Sequence, residues 1–470
     1  MAGLLSIGLT GINSSQASLL TTSHNITNAN TPGYHRQTAI ITTNDPQFSG
    51  AGFFGQGSKV DAVRRQYDQF LGQQVLSASA RKEELSAYDA QLGQLDNLLA
   101  DPSAGLAPAL SDFFKGVQDV ATNPASIPAR QALISSGEML ASRFNALDTR
   151  LGEISSLTEG QIASAVESID TYARQIADMN RQIGAVQVAG PSVQANDLLD
   201  QRDTLVAELN KLVKVSTVTE RDGSLSVFIG SGQALVVGTT ASELTVKPDP
   251  SDPLHGTIAL RTAGGGAVPL PDSLFTGGQL GGLLKFRSEA LDPARDRLDR
   301  IAFDFAGAFN TQHGKGRSFG GDPGDAFFAP IVEVSGAAGA IRMEITAPQA
   351  IAAASGSEPS GRSDNRNALE LAALQTDQSV VTVGSGTAAI GSAYSQLVSS
   401  VGNKAREVQI GLKAQEAQLD QATAAQQALS GVNLDEEAAN LIRYQQSYQA
   451  AARVMSVAGT LFDEILSIAR

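Results

Sequence analysis

Apolar side chains recur every three then four positions along the last stretch of the chain: Leu434, Glu437, Leu441, Tyr444, Tyr448, Ala451, Met455, Ala458, Phe462 and Ile465. Nine of those ten positions are apolar or aromatic, so the period is close to 3.5 and predicts a helix, Asn433 to Ile468, with a partner helix along it. Gly431 breaks the preceding helix, Asn433 is placed to cap, and Glu436 stands in the capping-box position three residues on. The opposite end of the chain repeats too. Leu5, Ile12, Leu19 and Ile26 come every seven residues, with the small residues Gly8, Ser15, Thr22 and Ala29 between them. That helix stops at Asn30-Thr31-Pro32-Gly33-Tyr34, where Pro-Gly suits the two central positions of a type II turn. The two ends are therefore expected to pair as a coiled coil.

Between them the period changes several times. Residues 37–63 are β-like and rich in glycine, and helix resumes from Gln66 past Leu99 to an Asp101-Pro102 stop. A shorter helix covers Leu106 to Ala121. The clearest internal stripe is Ile162, Ala165, Ile169, Tyr172, Ile176, Met179, Ile183 and Val186, which ends at Gly190-Pro191. Leu147, Leu151 and Ile154 belong to an earlier turn whose register shifts near Gly160. After Lys211 the period becomes two, with Asp222-Gly223 marking a hairpin and short strands continuing to Leu260. Helix returns at Gly278 and runs through Leu291, Leu298, Ile301 and Phe305, with a kink or new first turn at Pro293. The short apolar runs Ile331–Val334 and Ile341–Ile345, before Pro359, read as further strands of the same β-rich insert. A last inner helix is lined by Tyr394, Leu397, Val401, Ala405, Val408, Leu412 and Leu419.

Composition narrows the function. A net charge of −14 disfavours a nucleic-acid partner, and no residue before Arg36 is Asp, Glu, Lys or Arg. That uncharged start lacks the basic region and unbroken apolar core of a signal peptide, and polar residues interrupt it too often for a membrane span. Cysteine is absent, which removes disulfides, a thiol nucleophile and Cys-based zinc sites. The four histidines, His24, His35, His255 and His313, lie far apart, so no metal is expected. The glycines at 50, 52, 55 and 57 lack the Gly-Lys-Ser/Thr of a phosphate loop. Asp197, Asp200 and Asp203 share a helical face beside Arg202 and read as a solvated, salt-bridged surface rather than an acid–base pair. No cofactor and no catalytic residues are expected.

Two segments carry a resemblance. "NITNANTPGYHRQ" near the start and "NLDEEAANLIRYQQSYQAAARVMSVAGTLFDEIL" at the end look like the terminal signatures of flagellar axial proteins. With the middle segments around Asn196–Asp203 and Gly278–Leu284, the chain resembles the FlgK family of hook-associated proteins. The Asn-Thr-Pro-Gly-Tyr element is shared by rod and hook proteins; the C-terminal segment reads as the narrower signature. The resemblance implies a non-enzymatic structural protein of the hook–filament junction, located outside the cell. Its implied partners are hook protein, a second junction protein of the FlgL family, an export chaperone of the FlgN type on the C-terminal helix, the flagellar type III export apparatus, and further copies of itself. An extracellular adhesin is the alternative, though no cleavable signal or anchor is visible for it.

The expected architecture is mainly α with an inserted β-rich domain. Residues 1–35 with 431–470 would form the terminal coiled coil. Residues 36–211, 278–315 and 360–430 would form a nested helical bundle, with 36–65 as a linking arm. Residues 212–277 and 316–359 would form a separable, protruding β-rich domain. The compact stretch between Lys211 and Asn365 argues against a second projecting domain. The seam residues Leu5, Ile12, Leu19, Ile26, Leu441, Tyr444, Tyr448, Met455, Phe462 and Ile465 would carry assembly. Their ordering is expected only on assembly, because backbone entropy of about 1–2 kcal/mol per residue outweighs the few large side chains on the N-terminal seam.

Overall fold

The computed structural model describes residues 2–48, 50, 52–101, 105–187, 195–249, 255–262, 265–356 and 361–468. The stops expected at Pro102 and Gly190-Pro191, and Pro359, lie outside the described residues. Among the described residues are eleven α-helices: α1 (Ala2–Thr27), α2 (Gln69–Leu99), α3 (Leu106–Thr122), α4 (Ile127–Gln187), α5 (Asn196–Leu212), α6 (Gly278–Phe286), α7 (Asp292–His313), α8 (Ala337–Ala340), α9 (Arg366–Ala373), α10 (Ile390–Ser430) and α11 (Leu434–Ile468). The chain is mainly α with small sheets in its middle, as its periodicity predicts.

Helix α4 has 61 residues, roughly 90 Å at 1.5 Å per residue, and passes through two separate hydrophobic cores. Up to Leu151 its apolar face joins the first core, with Phe113 and Phe114 of α3, Phe305 and Phe309 of α7, and Leu397 and Val401 of α10. From Ile162 onward it joins the second, with Leu209 of α5, Leu283 of α6 and the sheets. The register shift near Gly160 is where the helix changes partners. Between α6 and α7 the residues Arg287–Leu291 form one π-helical turn, and Pro293 sits in the first turn of α7 directly after it.

Two antiparallel meanders face the second half of α4. One runs Val215–Thr219, Leu225–Ile229, Gln233–Val237 and Thr240–Ala241; the other Glu243–Pro248, Gly256–Arg261 and Ala267–Pro269. Gly223 takes the left-handed conformation (φ +78°) in the Asp-Gly turn. Val227, Ile229, Leu235 and Ile258 are buried against Ile162, Val166, Ile169 and Ile176.

Two expectations about the insert are corrected here. Residues 316–356 do not join the sheets of 212–277, because their apolar side chains enter the first core. Phe327 and Phe328 stack into the Phe113–Phe305–Phe309 cluster, and Asn310 Oδ1 accepts both of their backbone N–H groups at 2.8 and 2.9 Å. A side chain thus satisfies backbone that a strand ladder would otherwise pair. The sheets of 215–269 share one core with α4, α5 and α6, so they are not expected to be separable. Replacing 219–261 with a short linker is expected to expose Ile162, Val166, Ile169 and Ile176, worth about 6–12 kcal/mol at 1.5–3 kcal/mol each. That is comparable with the whole stability of a typical domain, about 5–15 kcal/mol, so the second core should unfold while the first survives. Thermal circular dichroism reads this as lost helix below the main transition; a single transition at full helix content would contradict it.

The first core contains His313, fully buried, whose Nδ1 donates to Asp325 O (2.7 Å) while Nε2 accepts from Ala352 N–H (2.8 Å). Burial holds its pKa below the ordinary histidine value. The unfolded chain therefore binds the extra proton first, and stability is expected to fall as pH drops below about 6.5. The slope approaches about 1.4 kcal/mol per pH unit. A His313→Gln variant should lose that part of the slope in Tm measured from pH 7.5 to 5.

Candidate functional site: the terminal rod and its joint

Helices α1 and α11 lie antiparallel in contact: Gly8 faces Met455, Gly11 faces Ala451, and Asn25 meets Glu437. The small residues set the spacing. A Cβ at Gly8 would lie 2.7 Å from Met455 Cγ, and one at Gly11 3.3 Å from the Ala451 Cβ. A third element lies along α1. Strands Gln37–Thr43 and Ser58–Arg65 pair as a hairpin whose tip strands are Gln47–Phe48 and Phe53–Phe54. Ser58 touches Ser14 (Oγ to Oγ 3.0 Å), and Gly57 packs on Thr10 and Ile7. The expected arm thus belongs with the terminal helices and completes a three-part rod.

The rod meets the body at Asn25, in the last turns of α1. Its Oδ1 accepts from Tyr34 Oη (2.7 Å) and Gln37 N–H (2.9 Å), and its Nδ2 donates to Gln37 O (2.9 Å) and Glu437 Oε2 (3.2 Å). Arg36 completes the knot by donating Nε to Glu437 (2.6 Å) and Nη1 to Glu436 (2.8 Å). Glu437 is 1% exposed, so its charge is neutralised inside the protein. Between Asn25 and Arg36 the chain makes the expected type II turn. Gly33 has φ +78°, and Tyr34 N–H donates to Thr31 O at 3.2 Å. Burial, then the carboxylates of Asp197, Asp200 and Glu437, push the Tyr34 phenol well above its ordinary pKa, so it stays a donor.

Helix α5 holds the other side of the joint, and here the solvated reading of its acidic face is overturned. Asp200 is buried; it accepts His35 Nδ1 (2.7 Å), His35 N–H (3.1 Å) and Arg65 Nη1 (2.8 Å). The same Arg65 nitrogen reaches Asp203 at 2.6 Å. Burial would lower the Arg65 pKa, but Asp203 and Asp200 outweigh it and raise the value. Asp197 and Asn196 hold Gln37 (2.9 and 3.2 Å). Arg202 turns away into the second core's edge, onto Asn180 Oδ1 and Gly223 O. Among the described residues, His35, Asp200 and Asp203 form a group with atoms close enough to share a metal ion. Arg65 already supplies positive charge to those oxygens, so the cluster acts as an ion-paired clamp. Beside it lies an open cleft of about 1490 Å³, bordered by the turn, α2, α5 and the end of α10.

The seam residues fall into two groups. Leu5, Ile12, Leu19, Ile26, Leu441, Tyr444 and Met455 are half-buried, with Gly8, Ser15, Thr22 and Ala458 buried among them. Tyr448, Phe462 and Ile465 are exposed, as are Leu4, Ile442 and Val457. Of the turn residues, Asn30, Thr31, Pro32 and Gly33 are exposed and Tyr34 is bonded inward. Asn433 caps α11 through its Oδ1, to the N–H groups of Asp435 and Glu436. The Glu436 side chain reaches Arg36 rather than closing a capping box. Sequence reasoning missed Asn25, Arg36, His35 and Arg65; the one polar member of the C-terminal seam, Glu437, was the signal that could have found them.

A rod of paired terminal helices, clamped to a two-core body and carrying exposed apolar side chains on its free faces, defines a helical structural protein. Comparison with known proteins makes this specific. A profile described as the flagellar hook-associated protein FlgK helical domain matches residues 92–328, and one described as the flagellar basal body rod FlgEFG protein C-terminal matches residues 425–468. The FlgK-specific match is thus in the helical middle, and the C-terminal segment is the one shared with rod proteins. Flagellar hook-associated protein 1 of Salmonella typhimurium is 34% identical, and that of Escherichia coli K12 33%, over all of both chains. The Bacillus subtilis protein of that name is 27% identical over 97% of this chain and 96% of its own. The fold matches the flagellar hook junction protein FlgK from Burkholderia pseudomallei with a TM-score of 0.69, at 24% identity, over 76% of this chain and 100% of that one. The chain belongs to the FlgK family of flagellar hook-associated proteins. The Salmonella alignment runs over 556 positions against the 470 residues here, so that relative carries at least 86 residues without a counterpart.

Proposed function

We propose that this chain forms one layer of the hook–filament junction, outside the cell, by packing its terminal rod against the rods of neighbouring copies. Hook protein would lie on one side and a junction protein of the FlgL family on the other. The carrying observation is the rod itself. Its polar groups at the joint are satisfied within the chain, whereas Leu4, Leu20, Ile442, Val457 and Ile465 remain exposed around it. Helix α1 contains no Asp, Glu, Lys or Arg, so packing it among neighbours desolvates no side-chain charge other than a protonated His24. Export as an unfolded chain through the type III apparatus, with a FlgN-type chaperone on α11, fits a helix whose exposed apolar side chains must be covered until it assembles. The role is structural and not catalytic; the clamp of His35, Asp200 and Asp203 is spent on Arg65. Family membership favours this over an adhesin.

Deleting the gene in its flagellated host should leave hooks without filaments and release filament protein into the medium. Restoring the chain should restore filaments. Normal filaments after deletion would refute the assignment.

A further inference from the structure

The tip of the hairpin is apolar on both faces. Phe48 and Phe53 oppose each other across it with ring centroids 5.3 Å apart, and Phe54, opposite Gln47, points to the other face. The three side chains are 63, 73 and 56% exposed, so the chain's own helices do not cover them. From Pro46 to Ser58 the sequence carries no charge, like α1 along which the hairpin lies. Such a tip is covered on both faces only when it enters a crevice.

We propose that Phe48, Phe53 and Phe54 form a wedge that inserts between the terminal helices of adjacent copies of this chain. The proposal deepens the junction-layer reading and rests on it. Area identifies the occupant. Three rings exposed to this extent present roughly 300–500 Å², at 150–250 Å² per aromatic side chain. A stable interface needs about 800 Å² per partner, so the tip cannot hold a separate partner alone. It must add to an interface made elsewhere by the same chain. The last contact of the hairpin with α1 is near Ile7 and Thr10, and the exposed Leu4, Ile7, Leu461 and Ile465 belong to the same end of the rod. In a second copy those side chains offer apolar walls for the wedge, with Asp463 and Glu464 exposed beside them on α11.

The test is the full-length triple variant Phe48→Ser/Phe53→Ser/Phe54→Ser, expressed in the deletion host. Because the rings are exposed, the purified variant should keep the parent's circular dichroism and Tm, and it should still be exported. Filamented cells should fall by about tenfold or more, since a tenfold loss needs only about 1.4 kcal/mol and interface aromatics are often worth more. In parallel, a photo-reactive benzophenone residue at position 53 should yield self-adducts whose peptides map to α1 or α11. Full filament numbers with the triple variant, or adducts only to a different protein, would overturn the wedge. If the parent chain itself fails to restore filaments, the junction reading fails instead.

Discussion

Arg36→Ala is expected to free the terminal rod from the body. The substitution leaves the Glu437 carboxylate buried with only Asn25 Nδ2 donating to it, among the groups that meet it at the joint. An uncompensated buried charge of this kind costs about 3–5 kcal/mol. Amides in the last turns of α1 and the first turns of α11 should therefore exchange about 10²–10⁴-fold faster. The double variant Arg36→Ala/Glu437→Leu should recover most of the loss, because removing both partners leaves no orphaned charge. A double variant as fast as the single one would mean that the ion pair does not hold the joint.

Ile442→Asp and Val457→Asp should do the opposite, leaving the monomer intact and blocking assembly. Both side chains are more than half exposed (56 and 58%), so each change should alter monomer stability by about 0.5 kcal/mol or less. Packed between rods, the new carboxylate would be desolvated, at a cost of several kcal/mol in every subunit contact, even at position 457, where Arg453 stands one turn before it. Phe462→Asp belongs to the same set, since that ring is also exposed. The variants should be exported yet leave cells without filaments. Filaments at parental number would show that the free faces of α11 are not the assembly surface.

What could be read from the sequence was local. The 3.5 period paired α1 with α11, Pro32-Gly33 gave the turn, Asp222-Gly223 gave a hairpin, and the register break near Gly160 marked where α4 changes cores. What could not be read depended on residues far apart in the chain. Asp200 reads as a surface acid until His35 and Arg65, more than a hundred residues away, arrive to cover it. The runs Ile331–Val334 and Ile341–Ile345 read as strands; among the described residues they amount to one isolated bridge, Met343 with Phe328, whose backbone N–H goes to Asn310 on another element. The glycines of residues 50–57 drew attention to a phosphate loop and away from the phenylalanines between them, since exposure on both faces is a tertiary fact.

The structure also qualifies how the termini become ordered. Both are helical and paired here, with the polar knot of Asn25, Arg36 and Glu437 at one end of the rod and exposed apolar side chains at the other. That asymmetry gives the most direct test of an assembly-completed rod: hydrogen exchange by residue on the free chain and on the assembled junction. The free chain should show protection near Asn25 and Glu437 that fades toward Leu5 and Ile465, and assembly should extend it along both helices. Strong, uniform protection across Leu5–Ile26 and Leu441–Ile465 in the free chain would contradict it.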